Sequence, residues 1–343
     1  MKKSWVEVSS DRIAANVAAI RRRIGKQTDI IAVVKANAYG HGAAGTAVRL
    51  RDSGVTSFAV ATVEEALTVR EVVHDARILV LTGCETGQEQ VFRNNHLTAS
   101  VFERGPVPDV DIELKIDSGM GRLGVPYAQA PALLDQLGDQ VTGVFSQFAS
   151  SDSDPDFTRA QLDIFLAATR RVTCRRHMAN SAALCFPASH LDAVRPGLAL
   201  YGIACCPDFS DLLPALTWKT SVLSLRQMSP GETVGYGRTF TISRPSLVAV
   251  LPVGYADGYN RAFSNNAEVR VRGVLAPVIG RVSMDLISVD VTDVPGIAHG
   301  DDVTLLETDP QSPISAAALA RRIGTIPYEL LTSIGSRVER VYV

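Results

Sequence analysis

The segment Ile30-Ile-Ala-Val-Val-Lys35-Ala-Asn-Ala-Tyr39-Gly-His-Gly42 runs from an apolar, largely β-branched stretch into a lysine and then into a polar, glycine-containing loop. A short apolar run of this kind predicts a strand that is buried on both faces. A lysine at its end emerges from an apolar wall, where desolvation disfavours the charged form and lowers the pKa. A neutral amine there can attack a carbonyl group and form a Schiff base. A lysine that merely extends to solvent is the competing interpretation.

Similar apolar runs recur over the first 212 residues, and helical patterns such as 62–73 and 156–172 lie between most of them. Buried strands with helical crossovers favour a parallel sheet, and eight of them indicate a closed (β/α)₈ TIM-type barrel, here over residues 10–212. The connection between residues 101 and 112 is shorter than the dozen or so residues that a parallel crossover usually takes, so we expect a loop without a helix. The predicted strands cover residues 30–35, 58–61, 78–83, 98–101, 112–117, 141–148, 176–179 and 194–200.

The pattern after residue 212 is mostly β. Apolar and polar residues alternate over 216–225, 233–241, 247–253, 268–272 and 286–291, and one helical pattern covers 315–323. Antiparallel strands of this kind predict a second, smaller β domain at 213–343. The stretch Trp5-Val-Glu-Val8 also predicts a strand; it is compatible with either domain, and we group residues 1–9 with the β domain. The fold class is therefore α/β, with an N-terminal barrel followed by a mostly-β domain.

Composition excludes several classes of function. The chain has 34 Lys and Arg against 36 Asp and Glu, which gives a formal net charge of −2 and no basic excess that would capture nucleic acid or a membrane surface. No apolar run approaches the ~20 residues that span a bilayer, and the polar start lacks the apolar core of a secretory signal. Five cysteines without CxxC spacing predict free thiols, a cytoplasmic location and no metal site; they are Cys84, Cys174, Cys185, Cys205 and Cys206.

The stretch Gly119-Met-Gly121-Arg-Leu-Gly124 matches the GxGxxG pattern of dinucleotide-binding turns. The match lies in mid-chain, and the preceding strand, residues 113–117, carries three charges where a first Rossmann strand is usually apolar. We therefore expect these glycines to allow a tight turn instead of binding a dinucleotide.

Charged residues inside the predicted barrel are the next candidates. Lys115 and Asp117 alternate with apolar neighbours, so both face one side of their strand, and Arg122 supplies a cation nearby. Charges in a barrel interior need partners, and a purely structural set of ion pairs competes with a ligand site. Arg195 likewise lies in an otherwise apolar stretch, which is costly unless the guanidinium meets an anion or an acceptor.

A phosphate cup is predicted at the late strands of the barrel, where such cups commonly lie. Ser181, within His177-Met-Ala-Asn-Ser181, offers a hydroxyl, while Gly197 and Leu198 offer backbone N–H groups. In the β domain, Tyr255, Tyr259 and Tyr328 lie in turns, where packing is the more common role of a tyrosine.

Taken together, these segments resemble the pyridoxal-phosphate-dependent alanine racemases almost from end to end. The motifs that carry the resemblance are Val-Lys35-Ala-Asn-Ala-Tyr-Gly, Lys115-Ile-Asp-Ser-Gly-Met-Gly-Arg-Leu-Gly, His177-Met-Ala-Asn-Ser, Val-Arg195-Pro-Gly, Gly-Tyr255-Ala-Asp-Gly-Tyr, Gly-Arg281-Val-Ser-Met-Asp and Pro-Tyr328-Glu. The family's fold is a (β/α)₈ barrel followed by a β domain, in agreement with the pattern above. The resemblance implies a racemase that interconverts L-alanine and D-alanine and supplies D-alanine for peptidoglycan.

The resemblance also implies roles for single residues. Lys35 would hold pyridoxal 5′-phosphate as an internal aldimine and act as the base on one face of the substrate Cα. Tyr255 would be the opposite base, supplied by the partner subunit of a head-to-tail homodimer. Arg195 would contact the pyridine nitrogen and keep it unprotonated, which makes the ring a weaker electron sink.

Further roles follow from the same resemblance. Arg122 would approach the cofactor phenolate and the substrate carboxylate, and Met284 would offer its backbone N–H to that carboxylate. Lys115 matches a position that is often carbamylated, and a carbamate would turn this cation into an anion able to orient Arg122. Asp152 and Arg281 match positions at the substrate entrance. The residues implied in holding the cofactor and its phosphate are Tyr39, Asn180, Ser181, Gly197, Leu198 and Tyr328.

Two departures from the family pattern stand out. The family's Thr-His-Phe-Ala run reads Ser146-Gln147-Phe148-Ala149 here, so a residue that can hydrogen-bond but not titrate replaces the histidine that normally links the pyridine-contacting arginine to the catalytic tyrosine. We expect a slower enzyme or an altered pH profile. The loop at 103–110 also replaces a helix that the family usually carries.

Three alternatives stay open at this point. Serine is a close second substrate. Basic-amino-acid decarboxylases share the architecture but lack the Gly-Tyr255-Ala-Asp-Gly-Tyr motif, which argues against them. A non-catalytic pyridoxal-phosphate carrier would be a bare barrel, and the long β domain argues against that.

Overall fold

The computed structural model describes residues 4–206 and 209–343. The described chain forms two compact units. The first, which we call the barrel unit, comprises Asp11–Ala38 and Gly42–Leu213; the second, the β unit, comprises residues 4–10, Tyr39–His41 and Pro214–Val343.

The strands of the barrel unit close on themselves. Strand β1, which opens the chain, belongs to the β unit. The first ten strands are β1 (Ser4–Val8), β2 (Asp29–Val33), β3 (Ser57–Val60), β4 (Arg77–Val80), β5 (Leu97–Val101), β6 (Ile112–Asp117), β7 (Val125–Pro126), β8 (Val141–Phe145), β9 (Arg175–His177) and β10 (Ala193–Val194). Eight of them pair in parallel in the order β2-β3-β4-β5-β6-β8-β9-β10, and β10 pairs with β2 to complete the ring. The prediction of a closed parallel barrel is confirmed.

Helices connect most of these strands. They are α1 (Ser10–Ile24), α2 (Lys35–Tyr39, a short left-handed turn), α3 (Ala43–Asp52), α4 (Val63–Arg70), α5 (Glu89–Asn94), α6 (Ala130–Leu137) and α7 (Pro155–Ala168). No helix lies between β5 and β6, as predicted for this short connection. The side chain of Gln140 holds the loop instead, since its Nε2 donates to the carbonyls of Pro108 at 2.7 Å and Val110 at 3.3 Å.

The prediction of the last barrel strand is wrong over most of its length. A strand was expected over 194–200, but the extended backbone ends at Val194 and a 3₁₀ helix follows at Leu198–Tyr201. The reason is Pro196, which has no N–H to donate to a neighbouring strand. Its carbonyl instead accepts from the N–H of Val33 at 3.0 Å.

The β unit is built on one nine-stranded sheet in the order β12-β15-β18-β17-β16-β19-β11-β1-β20. Its β1 pairs antiparallel with β11 and parallel with β20, so the strand predicted at Trp5-Val-Glu-Val8 belongs to this unit. Helix α8 matches the predicted 315–323 helix within a residue at each end. The remaining elements are β11 (Leu216–Ser221), β12 (Ser224–Met228), β13 (Thr233–Val234), β14 (Phe240–Thr241), β15 (Ser246–Leu251), β16 (Glu268–Val271), β17 (Val274–Ile279), β18 (Ile287–Asp290), β19 (Asp302–Leu306), α8 (Ala316–Arg322), α9 (Pro327–Thr332) and β20 (Glu339–Tyr342).

The expectation of five free thiols is wrong for two of the cysteines. Cys185 and Cys206 form a disulfide, with their Cα atoms 6.6 Å apart. Cys185 ends the short 3₁₀ helix at Ala182–Cys185, and Cys206 follows the 3₁₀ helix at Leu198–Tyr201. Sequence spacing could not reveal the pair, because the two thiols meet only when both late loops of the barrel fold back.

No helix in the described part of the chain is both long enough and apolar enough to cross a membrane.

Candidate active site

Lys35 begins a left-handed turn at the carboxyl end of β2. The backbone of the four residues from Ala36 to Tyr39 has φ angles of 51–53°, in the left-handed region. L-residues other than glycine pay about 1–2 kcal/mol each for this conformation. Such strain persists only where surrounding contacts enforce it, and it concentrates at functional sites. The turn therefore marks this end of the barrel as a candidate site.

Two side chains enforce the turn. A carboxylate oxygen of Glu65, in the first turn of α4, accepts the N–H of Ala36 at 2.6 Å, and the other accepts the N–H of Ala61 at 2.8 Å. The amide oxygen of Asn37 accepts the N–H of Ala43 at 2.8 Å at the start of α3. These bonds hold the backbone around Lys35 against both following helices.

Four cations act on one another at this end of the barrel. Burial, followed by the charges of Arg122 and Arg195, lowers the pKa of the Lys35 amine, while Glu65 opposes the shift. Burial and the same two arginines lower the pKa of Lys115 to about 8. Both lysines therefore reach the neutral form more readily than free lysine. Four cations near two carboxylates, Glu65 and Asp117, favour an anionic ligand.

Lys115 is almost fully buried without an ion pair. Its residue is 7% exposed, and its Nζ lies 5.9 Å from the centre of the Phe145 ring. No carboxylate forms a salt bridge with it anywhere in the described residues, including Asp117 two positions on. The interpretation of Lys115 and Asp117 as members of a structural ion-pair set is therefore not supported.

The carboxylate of Asp117 serves the glycine-rich turn. One of its oxygens accepts the N–H groups of Gly119 and Met120, both at 2.9 Å. Gly124 has φ +138°, and a Cβ there would lie 2.6 Å from the backbone nitrogen of Asp117. The tight turn predicted here is thus present, and it presents the exposed Arg122.

Arg195 is fixed by a set of acceptors inside the barrel. One terminal nitrogen donates to Nδ1 of His177 and, at 3.1 Å, to the carbonyl of the same residue. The other donates to the carbonyl of Ser146 at 2.5 Å and to Oε1 of Gln147 at 3.1 Å. Burial lowers its pKa to about 10, so the guanidinium stays protonated at neutral pH. Its Nε has no hydrogen-bond partner among the described residues and remains available to a ligand.

Gln147 occupies the position at which the sequence departs from the family pattern. Besides accepting from Arg195, it is held through its backbone carbonyl, which accepts from Nε2 of Gln161 at 3.3 Å. Gln161 is fully buried in α7, and its Oε1 accepts the N–H of Ala149 at 2.9 Å. The amide of Gln147 is thus oriented toward the guanidinium.

Ser181 ties two loops at the late strands into a cradle. Its hydroxyl accepts the N–H of Gly197 at 2.9 Å and the N–H of Ala199 at 3.2 Å. The N–H of Leu198 has no acceptor within the described residues. The side-chain oxygen of Asn180 is occupied by local bonds, from the Ser151 hydroxyl and the Ala183 N–H, both at 3.0 Å.

Tyr255 lies on an exposed turn of the β unit, with 45% of its surface accessible. Backbone bonds fix the turn: the N–H of Tyr255 donates to Ser283 at 3.1 Å and that of Ala256 to Met284 at 3.0 Å. Gly254 permits this approach, because a Cβ there would lie 2.3 Å from the carbonyl oxygens of Ser283 and Met284. The backbone that carries the tyrosine is therefore fixed.

The other tyrosine of the motif has the opposite environment. Tyr259 is 1% exposed and packs against Trp218 and Phe263, with ring centres 5.9 and 4.9 Å away. Burial raises the pKa of its phenol. Asp257 accepts the Gly254 N–H at 3.0 Å and so stabilises the turn. Of the two hydroxyls, only that of Tyr255 faces solvent.

The remaining residues that were predicted to belong to the active site lie on several other elements. Tyr39 and Tyr328, both in the β unit, have ring centres 5.8 Å apart. Met284 is 53% exposed, and its N–H has no acceptor among the described residues. Arg281 is exposed beside the turn at Gly237, and Asp152 is exposed in the loop before α7.

Sequence reasoning missed two carboxylates that organise the barrel site, the partly buried Glu65 and the buried Glu113. Glu65 supports the Lys35 turn, and its only sequence signal was the Thr62-x-x-Glu65 capping box, which both side chains form here. Glu113 bonds to His177, and its signal was alternation with Lys115 along an apolar strand.

The donor set suits a phosphate-bearing carbonyl compound. The barrel unit combines a lysine of lowered pKa, two arginines, a second lysine and the Ser181 cradle. Pyridoxal phosphate carries an aldehyde, a phosphate and a ring nitrogen, which these groups match in chemistry. No cluster of three or more His, Cys, Asp or Glu in the described residues has the geometry of a metal site.

Comparison with known proteins gives the same result along the whole chain. Residues 8–205 match the model of the alanine racemase N-terminal domain, and residues 215–342 match that of the alanine racemase C-terminal domain. Alanine racemase 2 of Caldanaerobacter subterraneus is 38% identical over 370 positions, covering 100% of this chain and 95% of the relative.

Solved structures extend the comparison to the fold. The biosynthetic alanine racemase of Pseudomonas aeruginosa superposes with a TM-score of 0.89 at 37% identity, over 100% of both chains. The alanine racemase of Bartonella henselae, solved with covalently bound pyridoxal phosphate, gives a TM-score of 0.90 at 29% identity, also over 100% of both chains.

Proposed function

The chain belongs to the alanine racemase family, and we propose that it interconverts L-alanine and D-alanine with pyridoxal phosphate attached to Lys35. The observation that carries this proposal is the environment of Lys35, an enforced left-handed turn that places the lysine near Arg122, Arg195 and Lys115, where burial and the two arginines lower the pKa of its amine against the opposing charge of Glu65. The family is pyridoxal-phosphate-dependent, and the chemistry of the donor set agrees with that cofactor.

Each cationic group has one task in this proposal. Lys35 attaches the cofactor and exchanges the proton on one face of the substrate Cα. Arg195 would contact the cofactor ring nitrogen, and Arg122 would approach the cofactor phenolate and the substrate carboxylate. Ser181, Gly197 and Leu198, with Tyr39 and Tyr328, would hold the phosphate. Leu198 would supply the backbone N–H, since that of Gly197 already donates to the Ser181 hydroxyl. When bound, the cofactor withdraws electrons from Cα and acidifies its C–H bond.

Tyr255 is the base for the opposite face of the substrate. Its backbone is fixed, its hydroxyl is exposed, and the neighbouring Met284 offers an N–H for a carboxylate. An exposed turn needs a covering surface to exclude water, and a second copy of the chain in a head-to-tail homodimer would supply one. The β domain would thus complete the partner's site, with Asp152 and Arg281 at its entrance.

The product gives the enzyme its place in the cell. D-Alanine formed in the bacterial cytoplasm would supply peptidoglycan synthesis. Lys115 would carry a carbamate, since its buried neutral amine can add carbon dioxide and release a proton.

The test is racemisation of L-alanine and of D-alanine by the purified, cofactor-loaded protein, with L-serine in parallel. Interconversion in both directions, absent from Lys35→Ala, is expected, and the relative rates rank the substrates. A protein that binds the cofactor through Lys35 yet interconverts no amino acid would instead be a carrier.

A further inference from the structure

A buried carboxylate and a buried imidazole meet inside the barrel. Glu113 is 1% exposed and His177 is fully buried, and Oε2 of Glu113 lies 2.7 Å from Nε2 of His177. Glu113 lies near the start of β6 and His177 at the end of β9. Their contact connects the interior of the barrel to the end that holds Lys35.

The partner of the other ring nitrogen fixes the protonation of His177. Nδ1 faces a terminal nitrogen of Arg195, and a guanidinium has only N–H donors. Nδ1 must therefore be the acceptor, which leaves the imidazole neutral with its proton on Nε2. The carboxylate of Glu113 accepts the hydrogen bond from this Nε2–H group.

The charges around the pair support this assignment. The groups that face it are Arg77, Arg175 and Arg195, and Arg77 forms a salt bridge with Glu113 at 3.2 Å. Burial opposes ionisation of Glu113, whereas the charge that His177 would carry if protonated, its hydrogen bond, and then Arg77 and Arg175 lower the pKa of the carboxyl. Burial lowers the pKa of His177 to about 4.

The opposite tautomer would disturb the arginine. With the proton on Nδ1, two N–H groups would face each other across the short contact between His177 and Arg195. The guanidinium would then lose an acceptor and turn away from its bonds to Ser146 and Gln147. Phe145 stacks on the imidazole, at 5.2 Å and 5° between ring planes, so the ring itself cannot easily rotate.

We propose that Glu113 is a positioning residue: its carboxylate holds the proton of His177 on Nε2 and thereby orients Arg195 toward the cofactor ring. The link to the cofactor rests on the function proposed above. The tautomer itself does not, because it follows from contacts within the barrel unit alone.

The experiment begins with the unaltered holoenzyme. ¹⁵N NMR of histidine-labelled protein, with the His177 signals assigned through His177→Gln, reads the state of each ring nitrogen. The expected result between pH 6 and 9 is a neutral ring protonated on Nε2. A ring protonated on Nδ1, or on both nitrogens at pH 7, would overturn the proposal without any variant having to fold.

Two variants then separate positioning from mere packing. Glu113→Gln keeps an acceptor for the Nε2 proton, so it should preserve the tautomer and most of kcat/KM. Glu113→Leu removes the acceptor, and we expect the Nε2 signal to change and kcat/KM to fall by about 10- to 100-fold, the effect usual for a residue that orients a group in direct contact with the cofactor. An unchanged tautomer and pH profile in Glu113→Leu would refute the role.

Glu307→Leu is the matched control. Like Glu113, Glu307 is a carboxylate paired with an arginine, Arg270 at 2.7 Å. It is only partly buried and lies in the β unit. The Glu307→Leu substitution should lower the free energy of unfolding without altering the His177 signals. If the holoenzyme racemises nothing, the NMR result still stands, so failure of the proposed function and failure of this inference remain distinguishable.

Discussion

The Lys35 site and the Tyr255 turn are built in opposite ways. In the barrel unit, buried charges act on one another, and hydrogen bonds to side chains fix the guanidinium of Arg195 and the backbone that follows Lys35. In the β unit, Tyr255 stands exposed on a turn fixed by backbone bonds. The barrel can tune its groups from within, whereas the tyrosine must obtain a low-dielectric surrounding from whatever covers it.

The largest expected effect concerns Tyr255, the exposed residue in this comparison. Tyr255→Phe should lower racemisation by about 10²- to 10⁴-fold, the usual contribution of a positioned acid or base. Exchange of the Cα proton with deuterated solvent should be lost for the enantiomer that this residue deprotonates and retained for the other. Its fold should be unchanged, because surface substitutions usually alter the free energy of unfolding by less than about 0.5 kcal/mol.

Tyr259→Phe in the same turn is the control for that change. The Tyr259 hydroxyl is buried without a hydrogen-bond partner among the described residues, so its removal should raise the free energy of unfolding by about 1 kcal/mol. Racemisation should be unaffected. Equal losses of activity in the two variants would show that the turn, and not the Tyr255 hydroxyl, carries the effect.

The second prediction concerns the pH dependence of stability that the buried Lys115 of the barrel unit should cause. The pKa of Lys115 is lowered from 10.5 to about 8 in the fold. Between these pH values the unfolded chain binds more protons than the folded one, so stability should rise with pH across that window. Without carbon dioxide, thermal unfolding of the unaltered protein should show this rise, and Lys115→Met should show less of it.

Adding carbon dioxide gives a second test of the lowered pKa of Lys115. The neutral amine forms a carbamate, so uptake of ¹³C-labelled carbon dioxide, followed by ¹³C NMR, should increase as the pH rises toward 8 and should vanish in Lys115→Met. A carbamate signal that persists in the variant would assign the modification to another amine.

The smallest expected effect lies at Gln147. Gln147→His would place a titratable group against Arg195, and the pH profile of kcat/KM should gain an inflection near the usual imidazole pKa of ~6.5. We expect the rate to increase a few-fold. If both rate and pH profile stay as they are, the glutamine has no part in tuning the tyrosine.

The sequence predicted what local patterns determine. Apolar runs located the barrel strands, with β6 correct at both ends, and the polar loop after Lys35 marked the site. The last strand ends at Val194, two residues before Pro196, because a proline has no N–H to donate to a neighbouring strand.

Features that depend on distant contacts could not be read from the sequence. The left-handed turn at Ala36–Tyr39 contains no glycine, so nothing local predicts its backbone angles; Glu65, 29 positions away, enforces it. Glu113 and His177 are separated by 64 positions and Cys185 and Cys206 by 21, and each pair forms only once the barrel has closed.

The most direct test of the central claim mixes two inactive variants, Lys35→Ala and Tyr255→Phe, each with its own affinity tag. If Tyr255 completes the partner's site, a mixed dimer has one site in which both groups are intact. Random mixing should then restore about one quarter of the original activity, since half of the dimers are mixed and each has one of two sites whole. Mixed dimers, isolated through both tags, that remain inactive would contradict the account.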